Sequence, residues 1–219
     1  MLPCIEIETA PAPRHAVIWL HGLGADGHDF EPIVPELVDR TWPALRFVFP
    51  HAPVRPITIN GGVAMRAWYD ISGLEIAQRQ DESGIRASIR LLDELIEREV
   101  ARGVPGTQII LAGFSQGGAI VLAGGVRHKT ALGGIVALST YLPMAEKTDA
   151  EASAANRVTP IFMAHGMLDP TIAHALGEMS RDYLKQRGYG IDWHAYPMAH
   201  QVCAEEIADL RRWIAARLR

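Results

Sequence analysis

Ile109-Ile110-Leu111-Ala112-Gly113-Phe114-Ser115-Gln116-Gly117-Gly118 runs from an apolar, β-branched stretch into a turn carrying one serine, and Ala119-Ile120-Val121-Leu122-Ala123 follows as a second apolar stretch. The first stretch reads as a buried strand and the second as a buried helix. A serine on the sharp turn between such a strand and helix is a nucleophile elbow, Gly-x-Ser-x-Gly. The serine has to adopt a strained backbone there, and side chains two residues to either side would collide with the helix or the strand. Gly113 and Gly117 fill those two positions. The helix N-terminus behind Ser115 also aims backbone N–H groups at any oxyanion formed there.

Composition narrows the setting. The 219 residues suit a single domain, 1–219, large enough to bury about 70% of the unfolded surface in one core. The apolar fraction of 48% is that of an ordinary water-soluble protein. No apolar run approaches the roughly 20 residues of a membrane span, so no membrane span is expected. Met1-Leu-Pro-Cys-Ile-Glu-Ile-Glu8 lacks a basic region followed by an apolar core, which argues against a signal peptide and against lipidation at Cys4. Cys4 and Cys203 lie near opposite ends of the chain and read as reduced thiols in a cytoplasmic protein rather than as a disulfide. A net charge of −4 without a basic cluster gives no support to nucleic-acid binding.

Strand and helix patterns alternate along the chain. Cys4 to Glu8 alternates apolar and acidic residues, a half-exposed edge strand, and Ala16 to Leu20 is a continuous apolar strand. Asp29 is placed to cap a helix with Phe30, Ile33, Val34, Leu37 and Val38 at helical spacing. Leu45 to Phe49 is a short strand, and residues 50 to 75 read as a long irregular segment carrying large apolar side chains. Asp81 or Ser83 opens a helix with Ile85, Ile89, Leu92, Ile96 and Val100 on one face. Beyond the elbow, strands are expected at Ile135–Leu138, Pro160–Ala164 and Ile191–Tyr196. A polar stretch spans Glu146 to Arg157, a helix carries Ile172, Ala175, Leu176, Met179 and Tyr183, and a C-terminal helix buries Cys203, Ile207, Leu210 and Ile214. Strands separated by helices imply an α/β fold with a mostly parallel, doubly wound sheet and ligands at the strand carboxyl ends.

Serine is a weak nucleophile until a base takes its proton and a third group orients that base. In α/β-hydrolases the chain order is Ser, acid, His. Among the histidines after Ser115, His200 sits in a loop beyond the last strand, whereas His128, His174 and His194 fall within or at the end of regular elements. Asp169 lies in the loop after the preceding strand, where a plain helix-cap role is the alternative. The oxyanion donors expected are the backbone amides of Gln116 and of Leu23, in His21-Gly-Leu-Gly-Ala-Asp-Gly27. That loop also spells Gly-x-Gly-x-x-Gly, but a dinucleotide site needs an acid at the end of the next strand, which here ends Phe49-Pro50-His51.

With these residues in place the chain resembles the phospholipase/carboxylesterase family, which includes bacterial carboxylesterases and acyl-protein thioesterases. The resemblance is carried by His21–Gly27, Ala52–Gly62, Met65-Arg-Ala-Trp-Tyr-Asp70, Gly113–Gly118, Leu138-Ser-Thr-Tyr-Leu-Pro143 and His200 followed by Val202–Ile207. It implies a metal-free, cofactor-free α/β-hydrolase without a large cap, acting on carboxylic esters and thioesters. It implies the triad Ser115, Asp169 and His200, the oxyanion amides of Leu23 and Gln116, and an acyl chain beside Trp68 and Leu142. Two departures bear on the pocket rim: Gln201 stands where a small residue is usual, and Pro170-Thr-Ile-Ala-His174 replaces a more apolar run. The expected function is a serine carboxylesterase for short- to medium-chain esters or acyl thioesters, with walls from residues 57–75 and 141–144. A lysophospholipase, a protein-depalmitoylating thioesterase and a non-catalytic binding scaffold are the alternatives. The substrate is a small ester or thioester or a lipidated protein, and the apolar loops beside the site admit a homodimer.

Overall fold

The structure is a computed structural model that describes residues 2–73 and 80–218. Among these, seven strands form one twisted sheet in the order β1-β3-β2-β6-β7-β8-β9: β1 (Cys4–Glu8), β2 (His15–Leu20), β3 (Leu45–Pro50), β6 (Ile109–Phe114), β7 (Gly134–Leu138), β8 (Ile161–Gly166) and β9 (Ile191–Tyr196). β1 runs antiparallel to β3 at one edge and every other pairing is parallel. β4 (Val54–Ile57) and β5 (Val63–Arg66) form a separate hairpin. The helices are α1 (Val34–Leu37), α2 (Glu82–Ala101), α3 (Gln116–Arg127), α4 (Thr148–Glu151), α5 (His174–Gln186) and α6 (Ala204–Ala215). This is the α/β-hydrolase architecture, without a large cap.

Parallel strands need crossovers on both faces, so both faces are buried and successive side chains enter different cores. In β2, Ala16, Ile18 and Leu20 pack with Leu92 and Ile96 of α2, Ile120 of α3 and Leu184 of α5. Val17 and Trp19 point the other way, into a core built with Leu37 of α1 and Leu210, Trp213 and Ile214 of α6. Among the described residues, no helix is long and apolar enough to cross a membrane.

The helix expected behind Asp29 is much shorter than its apolar spacing suggests. It is a 3-10 turn, Glu31–Ile33, running into the single turn of α1, and no side chain caps it. Pro32 and Pro35 remove two N–H donors from this short segment, and Val38 is already extended. Burial, not helical hydrogen bonding, holds Phe30, Ile33, Val34 and Leu37 in place. Asp81, in contrast, caps α2 by accepting from the Gly84 N–H at 2.9 Å. Two residues placed on buried helix faces are exposed, Val100 at 46% and Met179 at 65%. Both sit near the boundary of the apolar stripe, where spacing alone does not fix the direction. The segment read as irregular contains the β4–β5 hairpin, closed by Gly61 and Gly62 at positive φ.

Glu206, in the first turn of α6, is almost completely buried, and neither carboxylate oxygen finds a hydrogen-bond partner among the described residues. Burial pushes its carboxyl from the ordinary 4.5 up to about 8. A carboxyl raised on folding stabilises the fold fully below its unfolded value, and that contribution is lost as pH rises through the folded value. Glu206→Gln removes the titration. Thermal melts should therefore show the variant gaining on the parent protein between pH 5 and pH 9, by roughly 3–8 °C. A difference in Tm that stays constant across that range would overturn this account.

Candidate active site

Four parallel strands deliver the expected residues to one end of the sheet. Ser115 leaves β6, Leu23 follows β2, Asp169 follows β8 and His200 follows β9. Ser115 has φ 54° and ψ −120°, a conformation that costs a non-glycine residue about 1–3 kcal/mol. Three contacts hold it: its N–H donates to Leu138 O at 2.9 Å, and its carbonyl accepts from Ala119 N–H at 3.0 Å and from the Thr140 hydroxyl at 2.7 Å. The glycines of the elbow are sterically required. A Cβ on Gly113 would lie 2.5 Å from the Gly117 carbonyl, and one on Gly117 would lie 2.3 Å from Leu20 O.

His200 bridges the serine and the acid. Its Nε2 lies 2.9 Å from Ser115 Oγ and its Nδ1 lies 2.6 Å from Asp169 Oδ2. The carboxylate accepts at Nδ1, which fixes the proton there and leaves Nε2 free to accept from the serine hydroxyl. Asp169 has a fully buried side chain whose other oxygen accepts from the amides of Thr171 (2.8 Å) and Ile172 (2.9 Å). The cap of α5 is Ala173, so the helix-cap alternative for Asp169 gives way to a local turn that aims the carboxylate at His200. The two loops touch at Gly166, where a Cβ would meet Ala199 O and Met198 O at 2.4 Å.

Two neutral histidines frame this row. His21 lies 2.7 Å from the Gly22 carbonyl through Nδ1 and accepts from Ala52 N–H at Nε2 (3.1 Å), and burial lowers its pKa. With the Gly22 carbonyl turned toward His21, peptide planarity turns the Leu23 N–H the opposite way. His165, also lowered by burial, donates from Nε2 to Ile172 O at 2.9 Å and lies 3.5 Å from Asp169 Oδ2. The first N–H groups of α3, Gln116 among them, have no acceptor within their own helix.

A cavity of about 60 Å³ sits against Ser115, walled by Leu23, Gln116, Tyr69, Ile71, Tyr141 and Ile172. Trp68 and Leu142 are not among its lining residues; each is buried one position away from a tyrosine that is. Trp68 instead donates from Nε1 to His21 O at 2.9 Å, and Leu142 N–H donates to Ser180 Oγ at 2.8 Å. The Tyr69 and Tyr141 hydroxyls are 3.0 Å apart. Burial raises both, Tyr141 to about 12, so both stay protonated at neutral pH. Of the walls expected from residues 57–75, Leu74 and Glu75 lie outside the described residues.

The Phospholipase/Carboxylesterase family model matches residues 2–218. The chain belongs to the phospholipase/carboxylesterase family. It is 38% identical to acyl-protein thioesterase 1 of Neurospora crassa, over 100% of this chain and 91% of that one. A probable carboxylesterase of Oryza sativa is 33% identical over 100% of this chain and 84% of its own. The crystal structure of Arabidopsis thaliana SOBER1 superposes with a TM-score of 0.89 at 30% identity, covering 94% of this chain and 100% of that chain. As a member of this family the protein is a carboxylic ester hydrolase.

One member of the site has a second role that its position in the motif does not announce. The Gln116 side chain accepts from Trp68 N–H (2.7 Å) and donates to Tyr69 O (2.7 Å), while the Ser88 hydroxyl donates to Trp68 O. Gln116 thereby ties the cavity wall to the elbow. Gln116→Ala would orphan a buried N–H and a buried carbonyl, and should cost about 2–4 kcal/mol in urea unfolding. A loss below about 0.5 kcal/mol would show that the wall holds without it.

Proposed function

We propose that Ser115, His200 and Asp169 act as a catalytic triad hydrolysing short- to medium-chain carboxylic esters and acyl thioesters. The observation that carries this reading is the continuous hydrogen-bonded row Ser115 Oγ–His200 Nε2 and His200 Nδ1–Asp169 Oδ2, at 2.9 and 2.6 Å. His200 takes the serine proton as Oγ attacks the acyl carbonyl, and the amides of Leu23 and Gln116 receive the oxyanion. Asp169 holds the imidazole in orientation and stabilises the imidazolium. His200 then protonates the departing alcohol or thiol, and water cleaves the acyl-enzyme by the same route.

The acyl length follows from the cavity beside Ser115. At about 60 Å³, with a water-sized group taking about 30 Å³ in the liquid, this space holds only a few such groups. That size supports a short acyl group over the long chain of a lysophospholipid or a palmitoylated protein. In this reading Tyr69 and Tyr141, rather than Trp68 and Leu142, meet the acyl chain directly, and the latter pair fixes the wall behind them. The two cysteines are free thiols, which fits a cytoplasmic enzyme. Val54 and Val63 on the hairpin are largely exposed and offer a face for a homodimer.

p-Nitrophenyl esters from acetate to palmitate should show kcat/KM peaking between butyrate and hexanoate. Ser115→Ala should lower turnover at least about 10³-fold and Asp169→Asn by about 10³–10⁴-fold, with the melting profile preserved. Serine-independent turnover would overturn the triad, and a peak at palmitate would overturn the length assignment alone.

A further inference from the structure

The small cavity borders Ser115 but not its hydrogen-bond partner His200. A second cavity of about 390 Å³ opens beside His200, walled by Phe30, Phe114, Val202 and Ile207. Which part of a substrate enters which space follows from the proposed esterase chemistry, on which this inference rests. The acyl carbonyl oxygen faces the amides of Leu23 and Gln116, which border the small cavity. The leaving oxygen or sulfur must lie within reach of His200 Nε2, which returns the proton to it. The leaving group therefore extends past the imidazole, into the larger space.

That space has a distinct chemistry. The Phe114 ring lies 4.7 Å from the His200 ring and 5.6 Å from that of Phe30, so the cavity has an aromatic floor. Asp29 and Glu36 stand at its exposed rim, and neither carboxylate is held by a hydrogen bond or ion pair from a described residue. Partial burial and the neighbouring Asp26 carboxylate raise the Asp29 carboxyl, the response of an acid with no cation beside it. Gln201, one of the two departures from the family pattern, adds a neutral amide to the same wall. No lysine or arginine is among its described lining residues. Aromatic faces with unpaired carboxylates attract a cation on an apolar body and repel an anion.

We propose that this cavity selects esters and thioesters whose alcohol or thiol portion carries a positive charge, with Asp29, Glu36 and the Phe30–Phe114 floor as its specificity determinants. The recognition is modest, since rim carboxylates are screened by water and salt.

Butyrylcholine and its uncharged isostere 3,3-dimethylbutyl butyrate separate charge from shape. The parent protein at low salt should prefer the choline ester about fivefold or more in kcat/KM, chiefly through KM. The preference should fall toward one in Asp29→Asn/Glu36→Gln, and also in the unaltered protein at about 0.5 M NaCl. The salt arm needs no substitution, so a poorly folding variant does not remove the test. A ratio of one or less, or one that neither salt nor substitution moves, would overturn the proposal. Hydrolysis of p-nitrophenyl butyrate with neither of these two esters accepted would overturn it while leaving the esterase reading intact. If no ester is hydrolysed, both fall.

Discussion

At the elbow, backbone approaches backbone closely enough that a Cβ on Gly117 would sit 2.3 Å from Leu20 O and one on Gly113 would sit 2.5 Å from the Gly117 carbonyl. This contact sets how near α3 lies to β6 and β2, and so where the first turn of α3 presents its unpaired N–H groups. It also forces Ser115 to φ 54°, which lifts the hydroxyl out of the strand line. The strain is carried by Leu138 at the end of β7 and Thr140 just beyond it, whose hydrogen bonds clamp both backbone groups of the serine. Loosening the approach by a single methyl group would move the helix end and relax the serine together, so the Ser115 hydroxyl and the Gln116 amide are placed by one constraint.

Around this point the polar groups divide into fixed and free. His21 and His165 are buried, kept neutral by desolvation, and each holds a backbone carbonyl with one ring nitrogen. They shape the Leu23 loop and the Asp169 turn without entering the row themselves. His200 is less enclosed and its Nε2 faces the serine hydroxyl, so it alone of the three has a partner whose proton it can exchange. A site with three histidines close together thus needs only one to change charge, because burial suppresses protonation of the other two.

The sequence carries some of these features better than others, for physical reasons. The elbow is legible because its requirements are local: apolar strand, two missing side chains, apolar helix, all within fifteen residues. That Asp169 and His200 meet beside Ser115 can be anticipated because chain order and strand ends leave few loop positions for such a pair. The α1 segment is misjudged because Phe30, Ile33, Val34 and Leu37 obey helical spacing while Pro32 and Pro35 deny the hydrogen bonds, and burial satisfies the spacing without a full helix. Trp68 and Leu142 draw attention by size, yet in irregular segments no period says which neighbour points inward. There Tyr69 and Tyr141 line the cavity while Trp68 and Leu142 support from behind. The motif position marks the Gln116 amide as the expected oxyanion donor, whereas its side-chain clamp on residues 68 and 69 joins segments 47 and 48 residues apart, a relation no local pattern encodes.

The placement of the two cavities has a consequence for selectivity. The proposed acyl space is built from Leu23, Tyr69, Ile71, Tyr141 and Ile172 beside Ser115, the other space from residues 29–36, Phe114 and residues 200–207, and the two have no lining residue in common. A change in one set therefore leaves the other wall standing. The small cavity is tightly bounded, so in the proposed chemistry an overlong acyl chain would shift the carbonyl away from the Leu23 and Gln116 amides and penalise the transition state itself. The larger cavity is open on one side, so a mismatched leaving group loses contacts in the bound state and the transition state alike. Acyl length should then register mainly in kcat and leaving-group charge mainly in KM, the separation expected when one contact tightens at the reacting centre and the other is uniform along the path.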